Sequence, residues 1–135
     1  MLPEAIELII VTPERQLLRQ TVSEIQVPGA DGFLGILPGH APLITELAVG
    51  AITFRAGASE ERLAVAWGFA EVLPDKVTIL AESAERPSEI NVERARKAKE
   101  RAEQLLTSED PNVDVERALD ALHRAETRLE VAQKN

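Results

Sequence analysis

His40 and His123 are the side chains of this chain that could act as general bases near neutral pH, and Ser23, Ser59 and Ser83 are candidate nucleophiles. Their spacing does not assemble them. The chain has no Gly-x-Ser-x-Gly and no His-Glu-x-x-His, and two isolated histidines give no metal-ligand spacing. The absence of cysteine removes disulfides, thiol nucleophiles and cysteine metal sites, and leaves the compartment open. His40 lies in VPGADGFLGILPGHAPL (27–43), which holds four of the seven glycines, Gly29, Gly32, Gly35 and Gly39, with Pro28, Pro38 and Pro42 between them. No GK[ST] follows, so this is not a P-loop, and GxGxxG is absent. One reading is a set of tight turns that need positive φ at glycine. The other is a loop whose missing side chains let another backbone approach, with Phe33 as an apolar contact at its tip. An exposed aromatic of that kind marks a protein partner more often than a substrate.

The elements that must carry these residues change character at Pro87. Before it, AIELIIVT (5–12), TVSEIQVP (21–28), AITFRAG (51–57), RLAVAWGFAEV (62–72) and KVTILAE (76–82) read as strands. Pro13-Glu14, Asp31-Gly32, Gly57-Ala58-Ser59 and Pro74-Asp75-Lys76 separate them as turns. Short strands at this spacing predict an antiparallel β-sandwich or barrel. After Pro87, residues 88–106 and 113–132 are rich in Ala, Glu, Lys and Arg, and predict two amphipathic helices. Ala95, Ala98, Ala102, Leu105 and Leu106 share one face of the first. Val115, Ala118, Leu122, Ala125 and Leu129 share one face of the second. TSEDPN (107–112) joins them, so the pair closes as an antiparallel hairpin. The domains expected are therefore a β-sandwich over 1–86 and a helical hairpin over 87–135.

Composition limits the partners. The net charge of −8, with no basic run, excludes a nucleic-acid backbone as partner. Aromatics are only 3%, so the core must rest on aliphatic side chains. No segment reaches the ~20 apolar residues of a membrane span, and the N-terminus lacks a signal peptide's apolar stretch. A cytoplasmic or peripheral protein is expected. The hairpin's facing stripes are mostly alanine and bury little area per residue. It reads as a movable part on a stable sandwich.

VPGADGFLGILPGHAPLITEL (27–47) resembles the signature of the epsilon subunits of bacterial F-type ATP synthases, and WGFAEVLPDKVTILAESAER (67–86) is similar to the end of that subunit's sandwich. The two-helix tail has the family's length and placement. The resemblance implies a non-catalytic rotor subunit of a proton- or sodium-translocating synthase. Its expected partners are the gamma subunit, the ring of c subunits and, with the tail extended, the catalytic alpha and beta subunits. It implies a peripheral place on the cytoplasmic face of the cell membrane, with membrane contact only through the complex. Asp31, Gly32 and Phe33 correspond to the tip that touches the ring, and Gly39, His40 and Pro42 fall in the motif near the gamma and ring contacts. His40 also reads as a hydrogen-bonded turn histidine. Phe33 stands where the family often has an acidic side chain.

The resemblance further implies that the hairpin has a folded-down and an extended arrangement, the second opposing ATP hydrolysis. In some members ATP binds the folded-down form at an Ile/Leu-Asp-x-x-Arg-Ala motif. The matching residues here are Ile90, Asn91, Arg94 and Ala95, with Arg101, Arg124 and Arg128 as further cations and Glu85 as an acidic position of the same site. No cofactor is required; ATP is the expected regulatory ligand, with Mg²⁺ involvement open. Asn91 replaces the motif's Asp, keeping an N-cap but losing a carboxylate. The competing reading makes these arginines part of a solvated lattice with Glu93–Lys97 and Lys99–Glu103 pairs. The remaining alternatives are an enzyme and a generic sandwich adaptor with a coiled-coil tail.

Overall fold

The computed structural model describes residues 3–133; residues 1, 2, 134 and 135, at the ends of the two expected domains, lie outside the described residues. Seven strands come first: β1 Ile6–Val11, β2 Gln16–Val22, β3 Glu24–Gly29, β4 Gly32–Ile36, β5 Leu43–Ala56, β6 Ser59–Leu73 and β7 Lys76–Glu85. A single 3₁₀ turn, Pro87–Glu89, leads into α1 Val92–Leu106 and α2 Val115–Ala132. No helix among the described residues is long and apolar enough to cross a membrane.

The strands form one hydrogen-bonded sheet in the order β2-β1-β7-β6-β5-β3-β4. Its two longest strands, β5 and β6, run through the middle and the sheet folds over them, so alternate residues of all seven strands meet inside. Ile6, Leu8, Ile10, Ile36, Leu47, Ile52 and Ile79 are sealed there, almost without an aromatic among them. Every neighbouring pair is antiparallel except β1 with β7, which is parallel. That pair joins the two ends of the strand region, where no hairpin dictates direction.

The sequence reading merged or missed the two edge strands. TVSEIQVP is not one strand: the chain turns at Ser23, separating the end of β2 from β3. β2 buries only Leu17 and Val22, and β4 buries only Ile36, so neither carries a strong period of two. The glycine stretch is therefore not a loop but a hairpin and a link. Gly29 and Gly32 pair across a two-residue turn at Ala30-Asp31, and Gly32 takes φ 125° to close it. Phe33 sits on β4, opposite Pro28, rather than at the loop tip.

Both helices start as their sequences direct. The Oδ1 atoms of Asn91 and Asp114 accept from the N–H of Arg94 (3.0 Å) and Arg117 (3.1 Å), the usual N-cap geometry. The seam between the helices buries Ala95 and Ala102 against Ala118 and Ala125. Leu105 and Val115, expected in that seam, are exposed instead. Both lie at the loop end of the hairpin, where the helices have nothing beyond each other to pack against. α2 has a second packed face that the sequence reading missed. Its Val131 is fully buried with Ala51 of β5, Ala64 of β6 and Ile90, so α2, rather than α1, is the helix that lies on the sandwich.

Candidate functional site

The chain between β7 and α1 is pinned at several points, and this pinning shapes the site. Glu89 accepts from the Arg86 N–H at 2.9 Å and from Arg15 Nη2 at 2.7 Å, while Arg86 Nη2 donates to the carbonyl of Leu17 at 2.9 Å. The Arg86 N–H, followed by the Arg15 guanidinium, holds the Glu89 carboxyl below its ordinary pKa. Ile90 is buried just after, and Asn91 then starts α1.

This anchoring leaves a cleft of about 630 Å³ between the end of β7, α1 and α2, in the size range of small-ligand sites. Six of the eight predicted nucleotide-site residues line it: Glu85, Asn91, Arg94, Ala95, Arg101 and Arg128. Glu85, on β7, accepts from Arg128 Nε, on α2, at 2.5 Å, with both side chains about one-third exposed. Two predicted residues lie elsewhere. Ile90 points into the small apolar cluster under α2. Arg124 is not in the cleft's lining; its Cζ stands 5.1 Å from the centre of the Trp67 ring, a cation–π contact between α2 and β6.

The cleft also takes Glu89, Glu93 and Lys97, which were not expected there. Glu93 was expected to pair with Lys97, but Arg96 Nη1 holds it at 2.7 Å, and no Lys99–Glu103 pair forms among the described residues. The lattice that would neutralise this face of α1 is thus mostly missing. Trp67 was missed as well. Its signal was its place before Gly68: Trp67 takes φ 53° and Gly68 φ 128°, and a Cβ on Gly68 would fall 1.9 Å from the Leu80 carbonyl. The close approach of β6 to β7 there turns the indole out beneath Arg124.

The second predicted set divides between the two ends of β4. Asp31, Gly32 and Phe33 stand exposed at the β3–β4 turn and the first residues of β4, with Phe33 65% exposed on the edge strand. Gly39, His40 and Pro42 lie in the link to β5. There the Gly39 N–H donates to the Pro74 carbonyl at 2.7 Å and the His40 N–H to that of Leu37 at 3.1 Å. His40 Nδ1 lies 2.7 Å from the Ala41 carbonyl, so the turn-histidine reading describes its place. A groove of about 590 Å³ crosses the outer face of β3 to β6 and includes Phe33 and Leu37 at its β4 side and Glu130 of α2 at the other. Among the described residues no group of three or more metal-ligating side chains occurs.

Two models of one protein family match successive parts of the chain. Residues 5–87 match the family model described as ATP synthase, Delta/Epsilon chain, beta-sandwich domain, and residues 88–133 match its long alpha-helix domain. The chain is 56% identical over 108 residues to the ATP synthase epsilon chain of Koribacter versatilis, covering 80% of this chain and 76% of that one. It is 46% identical over 133 residues to the ATP synthase epsilon chain of Solibacter usitatus, covering 98% and 99%. A chain in a cryo-EM structure of the Euglena gracilis mitochondrial ATP synthase, OSCP/F1/c-ring in rotational state 1, superposes with a TM-score of 0.84 at 28% identity, covering 99% of this chain and 84% of that one.

Proposed function

The chain belongs to the ATP synthase delta/epsilon chain family, and on that premise we propose that it is a non-catalytic subunit of the synthase rotor whose hairpin is a nucleotide-sensitive brake. An adaptor unrelated to ATP synthases is set aside by the family membership. In this reading the sandwich binds the gamma subunit and rests on the c-ring through the β3–β4 turn and the 39–42 link, at the cytoplasmic face of the membrane. The hairpin, released, extends along gamma toward the alpha and beta subunits and opposes ATP hydrolysis. ATP in the cleft keeps it folded down.

The observation that carries this reading is the make-up of the cleft. Glu85 comes from the sandwich, Arg94 and Arg101 from α1, and Arg128 from α2. A polyanion held there ties both helices to the sheet, so it binds the folded-down state and not the extended one. That difference in affinity is what shifts a two-state equilibrium. The docked state is held by a small cluster of two alanines, Ile90 and Val131, with the partly exposed Glu85–Arg128 pair and the Arg124–Trp67 stack beside it, so a few kcal/mol of ligand binding is enough to decide it. The exposed Leu105, Val115 and Leu119 at the far end of the hairpin give the extended state apolar surface to bury on a partner.

Calorimetric titration of the whole chain with ATP, with and without Mg²⁺, tests the reading. Saturable binding is expected, weakened at least about tenfold by Arg94→Ala or Arg128→Ala because each removes a charge-assisted hydrogen bond. Asn91→Asp is expected to tighten binding: the present Oδ1 is committed to the Arg94 N–H, and a carboxylate keeps that cap while adding a second acceptor. No binding at millimolar ATP would reject a nucleotide-sensing hairpin.

A further inference from the structure

A separate groove of about 320 Å³ lies at the junction after β7 and takes no residue of α1 or α2. It exists because β6 outruns β7. The two strands pair only as far as Ala64 opposite Glu85, so the β7 side of β6 has no partner strand over Ser59–Leu63. The chain leaves the sheet there through Arg86 and the 3₁₀ turn, and the groove fills the corner between this bare edge, β2 and the turn. Two guanidinium groups line it, Arg62 from the bare edge and Arg86 from the junction. Neither has a carboxylate within ion-pair distance among the described residues. Of the neighbouring carboxylates, Glu60 is taken by Arg55, and Glu89 by Arg15 and the Arg86 N–H. The bond from Arg86 Nη2 to the Leu17 carbonyl steadies that guanidinium and leaves the rest of its donors free. Gln20 and Ser88 add neutral hydrogen-bonding groups, and Glu61 is the one carboxylate of the lining, which therefore carries a net positive charge. The rest of the wall is apolar: Leu18, Pro87, Phe54 and Leu63. Two guanidinium forks against one carboxylate, beside apolar surface and in a volume at the small end of ligand clefts, suit an oxyanion on a short hydrocarbon body.

We propose that this groove binds a small organic anion, with its carboxylate or phosphoryl head between Arg62 and Arg86 and its apolar part against Leu18 and Pro87. The site is distinct from the cleft between the helices and does not rest on the nucleotide reading. Gln20 and Arg62 belong to the sandwich, and Arg86 and Ser88 to the segment that leaves it, so an occupied groove ties the root of the hairpin to the sheet. The whole chain is titrated by nitrogen-15 NMR with hexanoate, hexyl phosphate, inorganic phosphate and hexanol, as wild type, Arg62→Ala, Arg62→Lys and Arg19→Ala. Arg19 lies on β2 outside the groove and is paired with Glu7. Hexanoate or hexyl phosphate is expected to saturate at millimolar concentration and to shift the side-chain Nε–H signals of Arg62 and Arg86, and the tighter of the two identifies the head group. Inorganic phosphate and hexanol, each with half the chemistry, should bind at least about tenfold more weakly. Arg62→Ala should weaken the organic anion about tenfold, and Arg62→Lys, which keeps the charge without the planar fork, should fall between. Arg19→Ala should change nothing, and the amide spectra should show all three variants folded. If neither organic anion binds the wild type, or Arg62→Ala leaves binding unchanged, the site is not there. Inorganic phosphate binding as tightly as hexyl phosphate would remove the apolar half of the proposal, and hexanol binding as tightly as hexanoate would remove the anionic half. None of these results bears on ATP binding, which the titration described above decides.

Discussion

The sandwich and the hairpin are built from the same few residue types and held by different ones. Inside the sandwich the sealed side chains are mostly isoleucine, leucine and valine, drawn from every strand. Between the helices they are alanines, and the larger Leu105, Val115 and Leu119 stay outside. Burying a large aliphatic side chain is worth about 1.5–3 kcal/mol, and alanine contributes much less. α2 then rests on the sheet through one small cluster, Ala51, Ala64, Ile90 and Val131, with the Glu85–Arg128 pair and the Arg124–Trp67 stack beside it. The lesson is that one short chain holds a fixed platform and a detachable arm by changing the size of the side chains it buries.

The largest effect that distinguishes the two parts is expected from Ile79→Ala, at a fully buried position of the interior strand β7. It should cost about 2–5 kcal/mol in chemical denaturation. The same loss is expected in a chain ending at Pro87, because the hairpin contributes little to that core. A truncated chain that no longer unfolds cooperatively would break the comparison. Arg124→Ala should cost about 0.5–1 kcal/mol, and only in the docking of α2. Trp67 is the single tryptophan, so its emission reports the change, while hydrogen exchange in β6 and β7 should stay as it was. Equal loss of protection in helix and strands would mean the arm is part of the platform.

The smallest effect concerns pH. The folded-state pKa of Glu89 is depressed by the Arg86 N–H and Arg15. Its contribution is therefore complete above the ordinary carboxylate value of about 4.3 and is lost as pH falls through the lower folded value. Hydrogen exchange of α2 should rise in that acid window before the sheet opens, and Glu89→Gln should flatten the dependence. An unchanged acid profile in the variant would show that the 3₁₀ junction does not steer the arm.

How much of this was legible follows from how much each element buries. The central strands and both helices announced themselves because β1, β6, β7 and the alanine stripes carry a repeated apolar demand. β2 and β4 did not, because an edge strand with one or two buried residues leaves its other positions free to be polar or glycine. Asn91 was readable as a cap, and Glu85, Arg94, Arg101 and Arg128 do line one cleft. The helical angle of Arg124 shows only which face it is on, and in this structure it stands over Trp67, outside the cleft's lining. What lies under that face is Trp67, delivered by a left-handed backbone turn almost 60 residues earlier that no helical projection contains. Lys97 was overlooked because spacing offered it Glu93, and spacing cannot say that Arg96 would take that carboxylate instead.

The parallel seam between β1 and β7 bears on the order of assembly. Glu7 is paired with Lys76 and Val11 with Leu80, so nearly the whole sandwich separates the two partners along the chain. β2 can join β1, and β3 to β6 can zip as hairpins, while later residues are still being synthesised. The two groups can close into one sheet only after β7 has left the ribosome. A seam of such long sequence separation is slow to form, and until it does the edges of β1 and β6 stand open. The platform that looks most rigid when finished is the part most in need of protection while it is being made.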